Sequence, residues 1–161
     1  MSGIADALIG LFFEVTPNLG HSKHYFSYVE KLRPELVKHS GLVWLNRYQT
    51  LSDDCSLLSC QLWEDEKSIE NWRNNKVHRL AQEAGNKVHF KDYRIRVGKR
   101  VSFWPQGETS KLNNGSIAKL NSLLLCVQSE DPISQESFAK LGFFESVYRE
   151  LSDSNQFVTL V

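Results

Sequence analysis

The sequence predicts an α+β domain: an antiparallel four-stranded sheet with its helices on one face. Two observations carry this. Apolar residues alternate or cluster in four short stretches and recur at helical spacing in two others. These stretches come in the order strand, helix, strand, strand, helix, strand over residues 4–104. A third observation extends the prediction. "RYQTLSDD" at 47–54 is echoed by "VYRELSDS" at 147–154, so Tyr48, Leu51, Ser52 and Asp53 align with Tyr148, Leu151, Ser152 and Asp153. The echo reads as a degenerate internal repeat with a period of about 100 residues, or as a chance likeness of two hairpins.

"LIGLFFEV" at 8–15 is a short apolar run bounded by Pro17, Asn18 and Gly20, and reads as a buried strand. In "HSKHYFSYVEKLRPELVKHSG" the spacing of Tyr25, Val29, Leu32 and Leu36 is helical. Pro34 should kink or break that helix and Gly41 should stop it. "GLVWLNRYQT" and "LLSCQLW" form a hairpin across the polar turn "LSDDCS". Asp65 can cap the helix that begins after it. One straight helix over 67–85 would put Lys76 inside the apolar arc of Ile69, Trp72, Leu80 and Ala84. A break at Asn74-Asn75 removes the conflict, with Asn75 capping a second helix whose stripe is Val77, Leu80, Ala81 and Ala84. Tyr93, Ile95, Val97 and Val101 share one parity of a long last strand. This is the split-βαβ, ferredoxin-like order. It leaves one sheet face without helices, and Phe12, Trp44 and Tyr93 look too apolar to face water, so a second subunit is expected there.

The domain division expected is 1–104 for this unit, 105–120 for a linker ("PQGETSKLNNGSIAK"), and 121–161 for a truncated βαββ half-repeat. Half a unit cannot bury its own sheet face, so it should dock on the first domain or on a partner subunit.

Composition narrows the function. Apolar residues make up 41% and charged residues 24%, with Lys plus Arg balancing Asp plus Glu at 19 each. No basic surplus points to nucleic acid or an anionic membrane. No run approaches the roughly 20 apolar residues of a membrane span, and the start lacks a basic signal-peptide region, so a cytoplasmic protein is expected. Cys55, Cys60 and Cys126 lack disulfide or zinc spacing, and no nucleotide, phosphate or zinc-hydrolase motif occurs. No metal is expected.

The run "LWEDEKSIENWRNNKVHRLAQ…FKDYRIRV" resembles the antibiotic biosynthesis monooxygenase (ABM) domain family, and the likeness covers about two-thirds of the chain. The resemblance implies a dimeric α+β barrel made of two ferredoxin-like units. It also implies cofactor-free oxygenation of a small aromatic or phenolic substrate in a pocket between sheet and helices. Such a pocket needs apolar walls, a proton acceptor and groups that hold an anion.

Against that need, Trp72, Asn74 and Phe12 are the candidate pocket residues, and His78 and Arg94 the candidate base and anion-binding group. Each has a plainer alternative. Trp72 fits a core position, His78 a boundary histidine, and Arg94 a sheet-surface ion pair with Glu14 or Asp92. His21, His24 and His39 show no ligand spacing and His89 receives no role. A haem-degrading relative would carry a ligating His ten positions after Trp72, where Gln82 stands, and an Asn on the first strand, which has none. Both departures count against haem, and no cofactor is expected. A non-catalytic dimer binding a small hydrophobic molecule is the alternative function.

Overall fold

The computed structural model describes residues 9–53, 55–100, 126–130, 146–151 and 156–160. The first unit runs β1 (Ile9–Pro17), α1 (Ser22–Lys38), β2 (Leu42–Thr50), β3 (Leu57–Trp63), α2 (Glu66–Arg73), α3 (Lys76–Ala84) and β4 (Phe90–Lys99). A π-helical turn, Gly85–His89, joins α3 to β4. Three further strands come after it: β5 (Cys126–Ser129), β6 (Ser146–Glu150) and β7 (Phe157–Leu160). The expected linker and the expected helix in "ISQESFAKLG" lie outside the described residues.

The seven described strands form one sheet in the order β4-β1-β3-β2-β6-β7-β5, with every pair antiparallel. The order β5-β7-β6 reproduces β1-β3-β2. The hairpin register also recurs: Asn46 faces Cys60 as Ser146 faces Leu160, and Tyr48 faces Leu58 as Tyr148 faces Val158. At the β2–β6 junction Gln49 faces Arg149. These two are counterparts in the 47–54 and 147–154 alignment, so a local two-fold passes between them.

Residues directly opposite one another on paired strands share a sheet face. Ile9, Leu11, Phe13 and Val15 of β1 therefore lie with Leu57 and Trp63 of β3. They pack under Tyr25, Val29, Leu32 and Leu36 of α1 and Ile69 and Trp72 of α2. The helical spacing read from the sequence is thus the buried stripe of α1. Pro34 corrects the expectation of a break, because α1 runs unbroken through it. Pro34 is on the exposed side, so the carbonyl it leaves free can turn to water.

The opposite face carries Phe12, Tyr48, Leu58 and Cys60, all buried, with Trp44 packed against them. No described helix covers them. Cys60 of β3 lies within hydrogen-bonding reach of Cys126 of β5, and this neighbour together with burial raises its thiol pKa. Those strands are four places apart, which on a flat sheet means about 19 Å. The sheet is therefore rolled, and the later strands come round under this face. Phe12, Tyr48, Leu58 and Cys60, on the face that the sequence assigned to a second subunit, are buried within one chain.

The break between α2 and α3 falls where Lys76 required it. Asp65 Oδ1 accepts the Ser68 N–H at 2.7 Å, and Asn75 Oδ1 accepts the N–H groups of Val77 (2.9 Å) and His78 (3.1 Å). Two other expectations need correction. Of the α3 stripe only Ala81 is buried, while Val77 and Leu80 are exposed, because α3 packs mainly on α1, α2 and the π-helical turn. Tyr93 faces Val15 in the sheet register, so it sits on the helix side and not on the rolled face.

Candidate active site

The break after α2 has a chemical consequence. In a continuous helix the Trp72 carbonyl would bond the Lys76 N–H; here that bond is absent, and the carbonyl is one of the orphan acceptors at a helix end. It accepts the Asn75 N–H at 3.1 Å and also lies 2.9 Å from His78 Nδ1. A carbonyl can only accept, so Nδ1 carries the proton and Nε2 keeps its lone pair. The Gln82 amide lies 3.4 Å from the same Nδ1; turned with Oε1 inward it would share that N–H.

The His78 ring lies flat on the Trp72 indole, with centroids 4.4 Å apart and planes at 17°. Burial is the largest influence on His78 and lowers its pKa. The Trp72 carbonyl opposes this, and nearby His39 reinforces it. The side chain is therefore a neutral, oriented imidazole at neutral pH. It is held by one hydrogen bond and one stacking contact, with Nε2 as its proton acceptor.

Trp72 itself is only 5% exposed and sits in the core with Ile9 and Trp63. It is the platform for His78 more than an open pocket wall. His39 meets it from another side, with centroids 5.4 Å apart, and its Nε2 donates to the Ser68 carbonyl at 3.0 Å. Behind the pair runs a polar ladder that sequence reasoning missed. Trp63 Nε1 donates to Gln61 Oε1 and Gln61 Nε2 to Ser59 Oγ, each at 3.0 Å, all on the buried helix side of β3. Its signal was available: Ser59 and Gln61 share the parity of Leu57 and Trp63.

The other candidates are not brought to His78. Asn74 ends α2 and is exposed. Phe12 is in the cluster on the rolled face. Arg94 faces Glu14 across β1 and β4, on the face away from the helices, and binds its carboxylate through Nε (2.9 Å) and a second nitrogen (3.2 Å). Arg96 joins the same carboxylate at 3.0 Å. The ion-pair reading of Arg94 is the observed one, and the sheet itself separates Arg94 from His78.

The fold gathers three histidines that the sequence left apart. His21 Nδ1 is 3.0 Å from His89 Nδ1, and His24 stacks on His89 at 4.6 Å. Among the described residues no group of three or more His, Cys, Asp or Glu is arranged to hold a metal ion, this one included. No described helix is long and apolar enough to cross a membrane.

Comparison with known proteins agrees with the fold. Residues 9–84 match the antibiotic biosynthesis monooxygenase family. A jasmonate monooxygenase of Pyricularia oryzae is 36% identical over 91 residues, covering 56% of this chain and 42% of that protein. The chain thus matches less than half the length of that curated relative. A conserved protein from Methanosarcina mazei has a similar fold (TM-score 0.56, 15% identity, 62% of this chain and 99% of that one). So does a Deinococcus radiodurans protein with a provisional antibiotic biosynthesis monooxygenase assignment (TM-score 0.50, 12% identity, 66% and 99%). At such identities the structures support the fold alone. The unit that carries Trp72 and His78 is therefore the part of the chain that resembles the antibiotic biosynthesis monooxygenase family.

Proposed function

We propose that this chain is a monooxygenase that works without a cofactor on a small phenolic substrate, with His78 Nε2 as the base. The observation that carries the reading is the imidazole held flat on Trp72 with its Nδ1 against the Trp72 carbonyl. In the proposed step the phenol O–H bond breaks and its proton moves to Nε2. The phenolate gives one electron to dioxygen, the radical pair combines at the ring carbon as a peroxide anion, and the proton held on Nε2 returns to it to give the hydroperoxide. Loss of water then leaves a quinone: an anthrone and one O2 yield an anthraquinone and one H2O. The base accounts for the first step, which makes the substrate electron-rich enough for the second.

Oxygen uptake with an anthrone tests this. His78→Ala is expected to lower kcat/KM by about 100-fold or more, the usual contribution of a general base. Because burial depresses the His78 pKa, the neutral form persists below the ordinary imidazole value of about 6.5. Activity should therefore hold through neutral pH and fall only on the acid side of that value. Unchanged activity in His78→Ala would remove the base from the mechanism. Jasmonate belongs in the same assay because the Pyricularia oryzae relative is named for it. Uptake with jasmonate and none with the anthrone would overturn the phenolic substrate class.

A further inference from the structure

We infer that the groove between α1 and β2 binds a small amphiphilic carboxylate, with Arg47 as its anchor. The open groove is lined by Phe26, Val29 and Arg33 of α1, by Leu45 and Arg47 of β2, and by Leu151 just after β6, and offers about 250 Å³. That is below the roughly 300–1,000 Å³ of drug-sized pockets, so the occupant is a small molecule.

The Arg47 side chain lies on the helix side, since Arg47 faces Ser59 in the register. It is hydrogen-bonded to the hydroxyl of Tyr25, which is buried beneath α1. Its Nε is buried and has no acceptor among the described residues. A buried guanidinium N–H without an acceptor is costly, and a carboxylate matches its fork of donors. Glu30 also lines the groove but is paired with Arg33 at 2.7 Å, which leaves Arg47 as the inner cation. Phe26 and Leu151 are both partly exposed and, with Val29 and Leu45, offer walls for an apolar tail.

This groove is distinct from the Trp72–His78 pair. On α1 the groove residues Phe26, Glu30 and Arg33 occupy one flank. The opposite flank carries Tyr28, which meets His89, and Glu35, which meets Asn75. The site also joins the two halves of the chain, because the Leu151 N–H donates to the Arg47 carbonyl at 2.9 Å.

Calorimetric titration of the full chain with octanoate and with octanol, of equal length and opposite head group, tests the proposal. Octanoate is expected to bind about ten-fold or more tightly than octanol. Arg47→Gln should lose about that factor for octanoate and leave octanol unchanged, and His78→Gln should change neither. If Arg47→Gln does not fold, the comparison of the two ligands on the unaltered chain and the milder Arg47→Lys decide. Equal affinities, full octanoate affinity in folded Arg47→Gln, or a loss in His78→Gln would each overturn the assignment. So would no octanoate binding at all, which would mean that the groove holds water only.

Discussion

Trp72→Ala is expected to destabilise the fold by about 3–5 kcal/mol, the cost of truncating a buried tryptophan. The indole is 5% exposed and packs with Ile9 and Trp63, bordered by Leu11, Leu32, Leu36, Leu42 and Ile69. These residues come from three strands and from both α1 and α2, so no single neighbour can move in to fill the void. The substitution also removes the surface on which His78 stacks. Urea unfolding measures the effect; a loss below about 1 kcal/mol would contradict this packing. Trp72→Phe keeps part of the ring and should cost less, which separates loss of volume from loss of any property of the indole.

Gly41→Ala should cost roughly 2–5 kcal/mol through two additive causes. The φ of Gly41 is +86°, a left-handed conformation that a Cβ disfavours. A Cβ there would also collide with the Ser68 side chain, which is itself buried at the start of α2. The close approach is fixed on both sides, since Asp65 holds the Ser68 N–H and the Gly41 carbonyl accepts the Glu64 N–H at 2.8 Å. Adding Ser68→Gly relieves the collision but not the φ strain, so the double variant should recover only part of the loss. A cost of Gly41→Ala within about 0.5 kcal/mol, the range of ordinary surface changes, would refute the contact.

Much of this fold was legible in the sequence because burial writes itself into spacing. Alternation in β1 to β4 and the Tyr25, Val29, Leu32 and Leu36 stripe gave the right layers. The misplaced Lys76 located a helix break that no propensity scale would mark. What failed depended on context. Pro34 is tolerated because it faces solvent, and Val77 and Leu80 stay exposed because α3 leans on other helices instead of on β4.

For the site, the residue types were legible and the assembly was not. His78 was found, but its bond to the Trp72 carbonyl exists only because the helix breaks, and His39 reaches the same indole from a distant turn. Arg94 was misjudged together with Tyr93, whose face the sequence assigned wrongly. It alternates with Tyr93 and Ile95, which face the helices, so it must point the other way. Arg47 gave no signal, because an arginine on a strand reveals neither its burial nor its missing acceptor.

The proposed function requires His78 to be a neutral imidazole with the proton on Nδ1 and a free lone pair on Nε2. Long-range nitrogen–proton NMR of the imidazole rings at neutral pH reads this directly. The predicted result is a protonated-type Nδ1 shift and an unprotonated Nε2 shift for His78, with Nε2 taking up a proton only below pH of about 6.5. A proton resident on Nε2, or a doubly protonated ring at pH 7, would contradict the account.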